Sequence, residues 1–118
     1  MEGAGVKVID SFVPCIEELY RLSDVYVFPV IEQDGAIEMP LSVIEAMACN
    51  LPVLTTRFGC LSMHFSEDPG FRYFETKEEL IELVPIMAQI SAANNKKVAD
   101  FTWNRMTDSI LSAFEKCV

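Results

Sequence analysis

The sequence predicts a three-layer α/β sandwich with a mostly parallel sheet. Short apolar runs alternate along the chain with segments whose apolar residues recur at helical spacing. A buried core is expected as well, because 51% of the 118 residues are hydrophobic and 23% are charged. This length is typical of one domain, so we expect residues 1–118 to form a single unit with its C-terminal helices within 76–117.

The charge balance argues against nucleic acid as a partner. Nine Lys and Arg residues stand against eighteen Asp and Glu residues, a net charge of −9, and most of the acidic excess lies in residues 1–70. No basic stripe is available to pair with phosphates along a nucleic acid. No apolar run reaches membrane-spanning length, and we expect neither a secretory leader nor a membrane segment.

The four cysteines lack the spacing of a metal site. Cys15, Cys49, Cys60 and Cys117 include no Cys-x-x-Cys pair. We therefore expect reduced thiols in a cytoplasmic protein, acting as small buried hydrophobic side chains, and no metal.

The first half of the chain predicts two strands and a helix between them. Residues 6–9 have the pattern of a short strand, and a helix with one apolar face follows Pro14. Residues 25–30 are β-branched and aromatic, which predicts a central strand buried on both faces, and Pro29 marks its carboxyl end.

The middle of the chain predicts a helix between two further strands. Pro40 is suited to the start of that helix, and Asn50 to a left-handed cap at its end. A buried strand over 51–55 follows, and residues 71–74 are expected to form an edge strand.

The C-terminal part predicts helices. Thr76 and Glu79 have the spacing of a capping box, and Pro85 is expected to split or kink the helix that they begin. Thr102 caps a final helix, whose apolar face contains Trp103, Met106, Ile110 and Phe114.

Two carboxylates bracket the start of the helix at Pro40. Glu38 precedes it and Glu45 lies one turn inside. The loops after the strands at 25–30 and 51–55 should meet at the carboxyl edge of a parallel sheet, where such folds bind ligands. Helix N-terminal amides suit a diphosphate and carboxylates suit sugar hydroxyls, so the pattern suggests a nucleotide-sugar. Alternatively, Glu38 only complements the helix dipole and Glu45 is a surface residue.

These residues resemble a known family. The segments 18–29 (ELYRLSDVYVFP) and 38–53 (EMPLSVIEAMACNLPV) resemble the donor-site region of glycosyltransferase family 4, also called glycosyl transferases group 1. Residues 55–59 resemble the loop that follows in that family, and residues 101–103 with their helix resemble its aromatic C-terminal helix.

The resemblance implies the C-terminal part of a Rossmann-like GT-B donor domain in a retaining enzyme. Such enzymes transfer a hexose from a nucleotide-diphosphate sugar to a carbohydrate or glycolipid acceptor, with no metal or other cofactor. It makes Glu38 the catalytic candidate that contacts the sugar hydroxyls, and Glu45 the contact to the ribose. The implied donor site also includes the backbone at Met39, Leu41 and Ser42 and the loop at Gly59.

The sequence departs from the family pattern at several positions. Six residues instead of seven separate the two acids, so a strict alignment puts Ile37 at the first acid's place. Pro40 stands near a usual glycine, and Asn50 and Cys60 each replace one.

The family also has an acceptor domain and a basic diphosphate-binding segment ahead of the matched region. We therefore expect this chain alone to be inactive. The strand at 25–28 should lack its usual neighbours, and its open edge suggests a homodimer.

Other side chains carry less specific signals. We expect His64 to be structural or exposed, Arg57 to form a surface salt bridge, and Trp103 to be a core residue. The same core role is expected for four methionines, Met47, Met63, Met87 and Met106.

Two alternatives differ in class. The chain could be a non-catalytic interaction or regulatory module that kept the glycosyltransferase core, as Pro40 and Cys60 suggest. A phospho-receiver domain shares the α/β alternation, but Asp10 is the only acid just after the first predicted strand, where a receiver needs a cluster.

Overall fold

A computed structural model describes residues 5–32, 34 and 37–117. In chain order, the elements are α1 (Ile16–Leu22), β1 (Tyr26–Phe28), α2 (Leu41–Ala48), β2 (Val53–Thr55), α3 (Leu61–His64), β3 (Phe71–Tyr73), α4 (Lys77–Met87), a 3₁₀ helix (Asn94–Val98) and α5 (Trp103–Lys116). Within this described part, no helix combines the length and the apolar character needed to span a membrane.

The three strands form one parallel sheet in the order β1-β2-β3. Val27 of β1 pairs with Leu54 of β2, which pairs with Arg72 of β3. All three residues of β2 are buried, since this strand has a neighbour on both sides. Among the described strands, β3 lies at an edge of the sheet, as predicted for residues 71–74.

Helices cover both faces of the sheet. Successive side chains of a strand point to opposite faces, so Val53 joins a core with Val43 and Met47 of α2, while Leu54 joins Phe74 and Met87 on the α4 side. The predicted three-layer α/β sandwich with a parallel sheet is therefore confirmed.

Two strand predictions were wrong in detail. Residues 7–10 have no regular secondary structure, and Val6 has only an isolated bridge. The apolar side chains of this segment are about half exposed, because the segment does not pair with the described sheet despite its strand-like pattern. Residues 26–28 form a half-buried strand at the edge of the described sheet instead of a central strand.

The predicted split of α4 at Pro85 does not occur, since the helix continues to Met87. Proline removes one hydrogen-bond donor, whose acceptor would be the carbonyl four residues earlier. That carbonyl belongs to Ile81, an exposed residue, and only two helical residues follow the proline. The local cost is therefore small enough for packing to override.

The cap predicted at Asn50 is confirmed. This residue has a φ of 60°, its N–H donates to the Met47 carbonyl at 3.0 Å, and the Leu51 N–H donates to the Ala46 carbonyl at 3.1 Å. The two bonds form a Schellman motif, which satisfies carbonyls at the end of α2 and turns the chain into β2.

A buried amide connects the 3₁₀ helix to the sheet. Asn94, which is 1% exposed, donates from Nδ2 to the carbonyls of Leu51 at 2.7 Å and Gly70 at 2.9 Å. Its Oδ1 accepts a hydrogen bond from Lys97 Nζ at 3.0 Å. These bonds tie the segments that lead into β2 and β3 together.

The final helix is amphipathic, but none of its residues is buried. Trp103 is 80% exposed and Met106 is 45% exposed, so the predicted core roles of both were wrong. Met63 is exposed as well, whereas Met47 and Met87 are core residues as predicted. The molecule reaches 60 Å along its longest axis.

The cysteines are free but not buried as predicted. Cys15 and Cys117 are exposed, and Cys49 and Cys60 are half-buried.

Replacing Asn94 with alanine should destabilise the protein by about 2 kcal/mol, because the buried Leu51 carbonyl loses its donor and the Gly70 carbonyl keeps only the Val53 N–H. Urea unfolding followed by circular dichroism measures this change. Asn95→Ala is the matched control, since it retains the backbone N–H that donates to Asn50 Oδ1 and should change stability by less than about 0.5 kcal/mol. Equal effects of the two substitutions would contradict the role given to Asn94.

Candidate functional site

The loop before α2 is joined to the loop after β2 by a backbone contact. The Cys60 N–H donates to the Glu38 carbonyl at 3.1 Å, and the Cys60 thiol lies 3.6 Å from the same oxygen. Two of the predicted site positions, Glu38 and Gly59, are therefore brought together.

Only glycine fits at position 59. Gly59 has a φ of 53°, and a Cβ placed there would lie 1.9 Å from the Glu38 carbonyl oxygen. Its missing side chain is what allows the two loops to approach so closely. The backbone of Glu38 is thus fixed, while its side chain is exposed.

The N-terminus of α2 offers free donors. Pro40 is the N-cap and Leu41 is the first helical residue, one position later than predicted. The first N–H groups of a helix have no acceptor within it, and among the described residues none accepts from Leu41 or Ser42. The Ser42 hydroxyl is engaged, since it accepts from Tyr26 OH at 2.7 Å.

Glu45 is held by a tyrosine of α1. Its Oε2 accepts a hydrogen bond from Tyr20 OH at 2.9 Å, while the Glu45 residue itself is exposed. Burial of Tyr20, followed by the nearby Glu45 carboxylate, raises the pKa of the phenol well above its usual value. Tyr20 therefore remains a donor and fixes the orientation of the carboxylate.

Three predicted site residues line one apolar groove of about 540 Å³. Met39, Leu41 and Glu45 lie on its α2 side. The opposite side is formed by the start of α5, with Phe101, Trp103 and Met106.

The loops after β1 and β2 meet at the carboxyl edge of the sheet, as predicted. The Thr56 hydroxyl donates to the Val30 carbonyl, and both residues line a crevice of about 230 Å³. Arg57 pairs with Glu75 at 3.8 Å and lies 4.6 Å from the ring centroid of Tyr73. The predicted surface salt bridge of Arg57 is thus confirmed.

His64 is exposed, as expected. Its ring packs edge-on against Phe101 with centroids 5.9 Å apart. Phe101 also contacts Phe65, at a centroid distance of 5.7 Å, so the segment leading into α5 has an anchor on the body of the protein.

Sequence reasoning missed two parts of this site. The contact between Tyr20 and Glu45 joins residues 25 positions apart, and the only local signal was that Tyr20 lies on the apolar face of its helix. The groove wall supplied by α5 was missed because its apolar residues were assigned to the core.

The fold and the site geometry define an α/β domain with a candidate ligand site around the start of α2. A family model described as "Glycosyl transferases group 1" matches residues 2–84, more than half of the chain. The chain therefore belongs to the group 1 glycosyl transferases. Comparison with curated proteins and with solved structures finds no match.

Gly59→Ala should destabilise the protein by about 3 kcal/mol, because it combines a strained φ with a collision against the Glu38 carbonyl. Gly5→Ala is the matched control: Gly5 has a φ of 81° with no atom within 4 Å of an added Cβ, so it tests the strain alone. We expect about 1 kcal/mol for the control in urea unfolding. A Gly59 variant no less stable than the Gly5 variant would contradict the close approach.

Stability should fall as the pH rises above about 10, the ordinary pKa of tyrosine. Burial raises the pKa of Tyr20 and Tyr26 in the folded protein, and raises that of Tyr73 to about 12. As the pH rises, a tyrosine whose pKa is raised by folding loses its proton in the unfolded chain first, and this favours unfolding. Its contribution to stability is therefore complete below the unfolded pKa and is lost between the unfolded and the folded pKa. Urea unfolding across this range measures the decline.

Lysine side chains titrate in the same pH range, and Tyr20→Phe separates the contribution of Tyr20 from theirs. The variant should lose less stability than the wild type, by about 1 kcal/mol between pH 10 and 11. Identical slopes would show that Tyr20 does not keep its proton in the folded state.

Proposed function

We propose that this chain provides the donor-binding surface of a retaining glycosyltransferase. The reaction would transfer a hexose from a nucleotide-diphosphate sugar to a carbohydrate or glycolipid acceptor. The observation that supports this most is the start of α2, where free backbone amides lie beside a carboxylate held by Tyr20. Family membership supports the same assignment.

In this proposal the diphosphate binds at the N-terminus of α2. Leu41 and Ser42 present N–H groups there, and the helix dipole favours negative charge. Pro40 has no N–H to contribute. The Gly59 contact keeps the loop ahead of the helix in place, so these donors are oriented before the ligand arrives.

Glu45 would bind the ribose. Tyr20 occupies one side of Oε2, and a carboxylate can accept further hydrogen bonds at both oxygens. Two adjacent ribose hydroxyls suit this remaining capacity.

Glu38 is the proposed catalytic residue. Its side chain would accept hydrogen bonds from hydroxyls of the transferred sugar. As the diphosphate leaves, positive charge develops on the sugar ring, and a nearby carboxylate stabilises that charge. The fixed backbone of Glu38 supports this role by limiting how far its side chain can move away.

The net charge of −9 disfavours binding of a negatively charged diphosphate by this chain alone. We propose that basic groups of the family's diphosphate-binding segment complete the site. We also propose a cytoplasmic location, because all four cysteines are free. Among the described strands, β1 has a neighbour on one side only, and this edge supports a homodimer as a further hypothesis.

A non-catalytic interaction module is the second candidate. Pro40 at the N-cap of α2 favours it, because it leaves one amide fewer for a phosphate. In this case the groove beside α2 would bind a partner and the chain would have no affinity for nucleotide-sugars.

An amide-resolved NMR titration with UDP-sugars and GDP-sugars at millimolar concentration distinguishes the two candidates. We expect shifts confined to residues 37–45 and 56–60. Glu45→Gln should weaken binding about tenfold, because it replaces charge-assisted hydrogen bonds to the ribose with neutral ones.

Glu82→Gln is the matched control, since Glu82 is an exposed residue of α4, outside the candidate site. It should leave the affinity unchanged. A well-folded spectrum with no shifts would favour the non-catalytic module, and an equal effect of the two substitutions would remove Glu45 from the site.

A further inference from the structure

The last helix has an apolar face that the described part of the chain leaves exposed. Trp103, Met106, Ile110 and Phe114 recur at helical spacing on this face, and Leu111 lies at its edge. Ile110 is 49% exposed and Phe114 is 68% exposed, and none of the residues of α5 is buried. A continuous patch of large apolar side chains on a folded domain is typical of a surface that binds another protein or a membrane.

The helix that carries this face is capped at both ends. The Thr102 hydroxyl accepts from the Arg105 N–H at 3.2 Å, and the Cys117 N–H donates to the Phe114 carbonyl at 3.1 Å. Just before the helix, Phe101 packs on the body of the protein. The apolar side chains therefore form one row along roughly 16 Å of helix.

The charges of α5 favour an uncharged partner surface. Its four charged residues sum to zero, and with about 3.6 residues per turn they all lie on the side opposite the apolar row; they are Arg105, Asp108, Glu115 and Lys116. The net charge of −9 opposes self-association through most other surfaces, but this face is not charged. A helix that lies on a membrane would be rich in Lys and Arg on its polar face.

We propose that this face binds a second copy of the chain, with the two α5 helices packed antiparallel. Met106 and Phe114 lie four residues before and four residues after Ile110. A two-fold axis at Ile110 therefore places each Phe114 opposite the partner's Met106, as a symmetric interface requires. The antiparallel arrangement also keeps the two protein bodies at opposite ends of the helix pair, because each body joins its own α5 at Trp103.

The exposed area of the face is sufficient for such a pair. Its two aromatic and three other apolar side chains expose roughly 600 Å² per copy, given the usual areas of these side chains. Two copies can therefore bury on the order of 1,200 Å², the lower limit of specific interfaces. We expect a reversible dimer that depends on concentration. It uses a different surface from the edge of β1.

Analytical ultracentrifugation over a range of protein concentrations tests the dimer. The wild type should change from monomer to dimer as the concentration rises. Ile110→Ala and Phe114→Ala should each weaken the dimer about tenfold or more, because each substitution removes the apolar contact from both copies. Alanine favours helix, so this weakening would not come from loss of α5. Leu22→Ala is the matched control, since Leu22 is an exposed apolar residue of α1, and it should dimerise as the wild type does.

A cysteine placed on the two-fold axis locates the contact. Ile110→Cys should form an intermolecular disulfide with its own copy when treated with oxidised glutathione. The background carries Cys15→Ser and Cys117→Ser, which remove the exposed native thiols. Ser112→Cys is the matched control, because residue 112 lies on the polar side of α5 and should not cross-link.

Three results would overturn the inference. The first is a protein that stays monomeric at every concentration. The second is a dimer whose affinity is unchanged by Ile110→Ala and Phe114→Ala, because that dimer uses another surface, such as the edge of β1. The third is binding to phosphatidylcholine vesicles without a dimer, which would assign the face to a membrane. The proposed function is tested separately, by the titration with nucleotide-sugars.

Discussion

The contact between two backbones, Gly59 against Glu38, is the constraint on which the candidate site depends. It joins the loop after the central strand to the loop before α2, and it requires a residue without a side chain. All residues of β2 are buried, so the strand is rigid, and the loop that follows it starts from a fixed position. The position of the α2 N-terminus is therefore set by the sheet. The backbone N–H groups at this end of the helix are already ordered in the folded protein, so binding a ligand there costs little conformational entropy.

Glu45 connects the ligand site to the packing of α1. Its partner Tyr20 belongs to the same core cluster as Val43 and Met47, so one side chain reaches from that core to the exposed carboxylate. A shift of α1 relative to α2 would therefore change the orientation of the Glu45 carboxylate. This arrangement explains how an exposed carboxylate can have a defined orientation, since exposed acids normally sample several rotamers.

Features with a local cause were predictable from the sequence. The cap at Thr76 and the left-handed turn at Asn50 depend on residues within four positions, and both formed as expected. Features that depend on distant partners were not. The bond between Tyr20 and Glu45 and the bonds of Asn94 link separate segments, so no local pattern encodes them. Trp103 illustrates a third case, because amphipathic spacing reveals that a helix has an apolar face but not what covers it. The close approach of Gly59 to Glu38 and the groove shared by α2 and the start of α5 emerged only from the structure.

The buried amide of Asn94 has a consequence for the order in which the chain can mature during synthesis. Its bonds to Leu51 and Gly70 span 43 and 24 residues of sequence. A nascent chain that has emerged only as far as β3 already contains all three strands, yet the amide that satisfies the Leu51 carbonyl is still inside the ribosome. The sheet therefore reaches its final stability only after residue 94 has emerged. Until then the nascent chain is incompletely folded. Its parallel strands pair slowly because their contacts are non-local, and they remain accessible to chaperones and proteases.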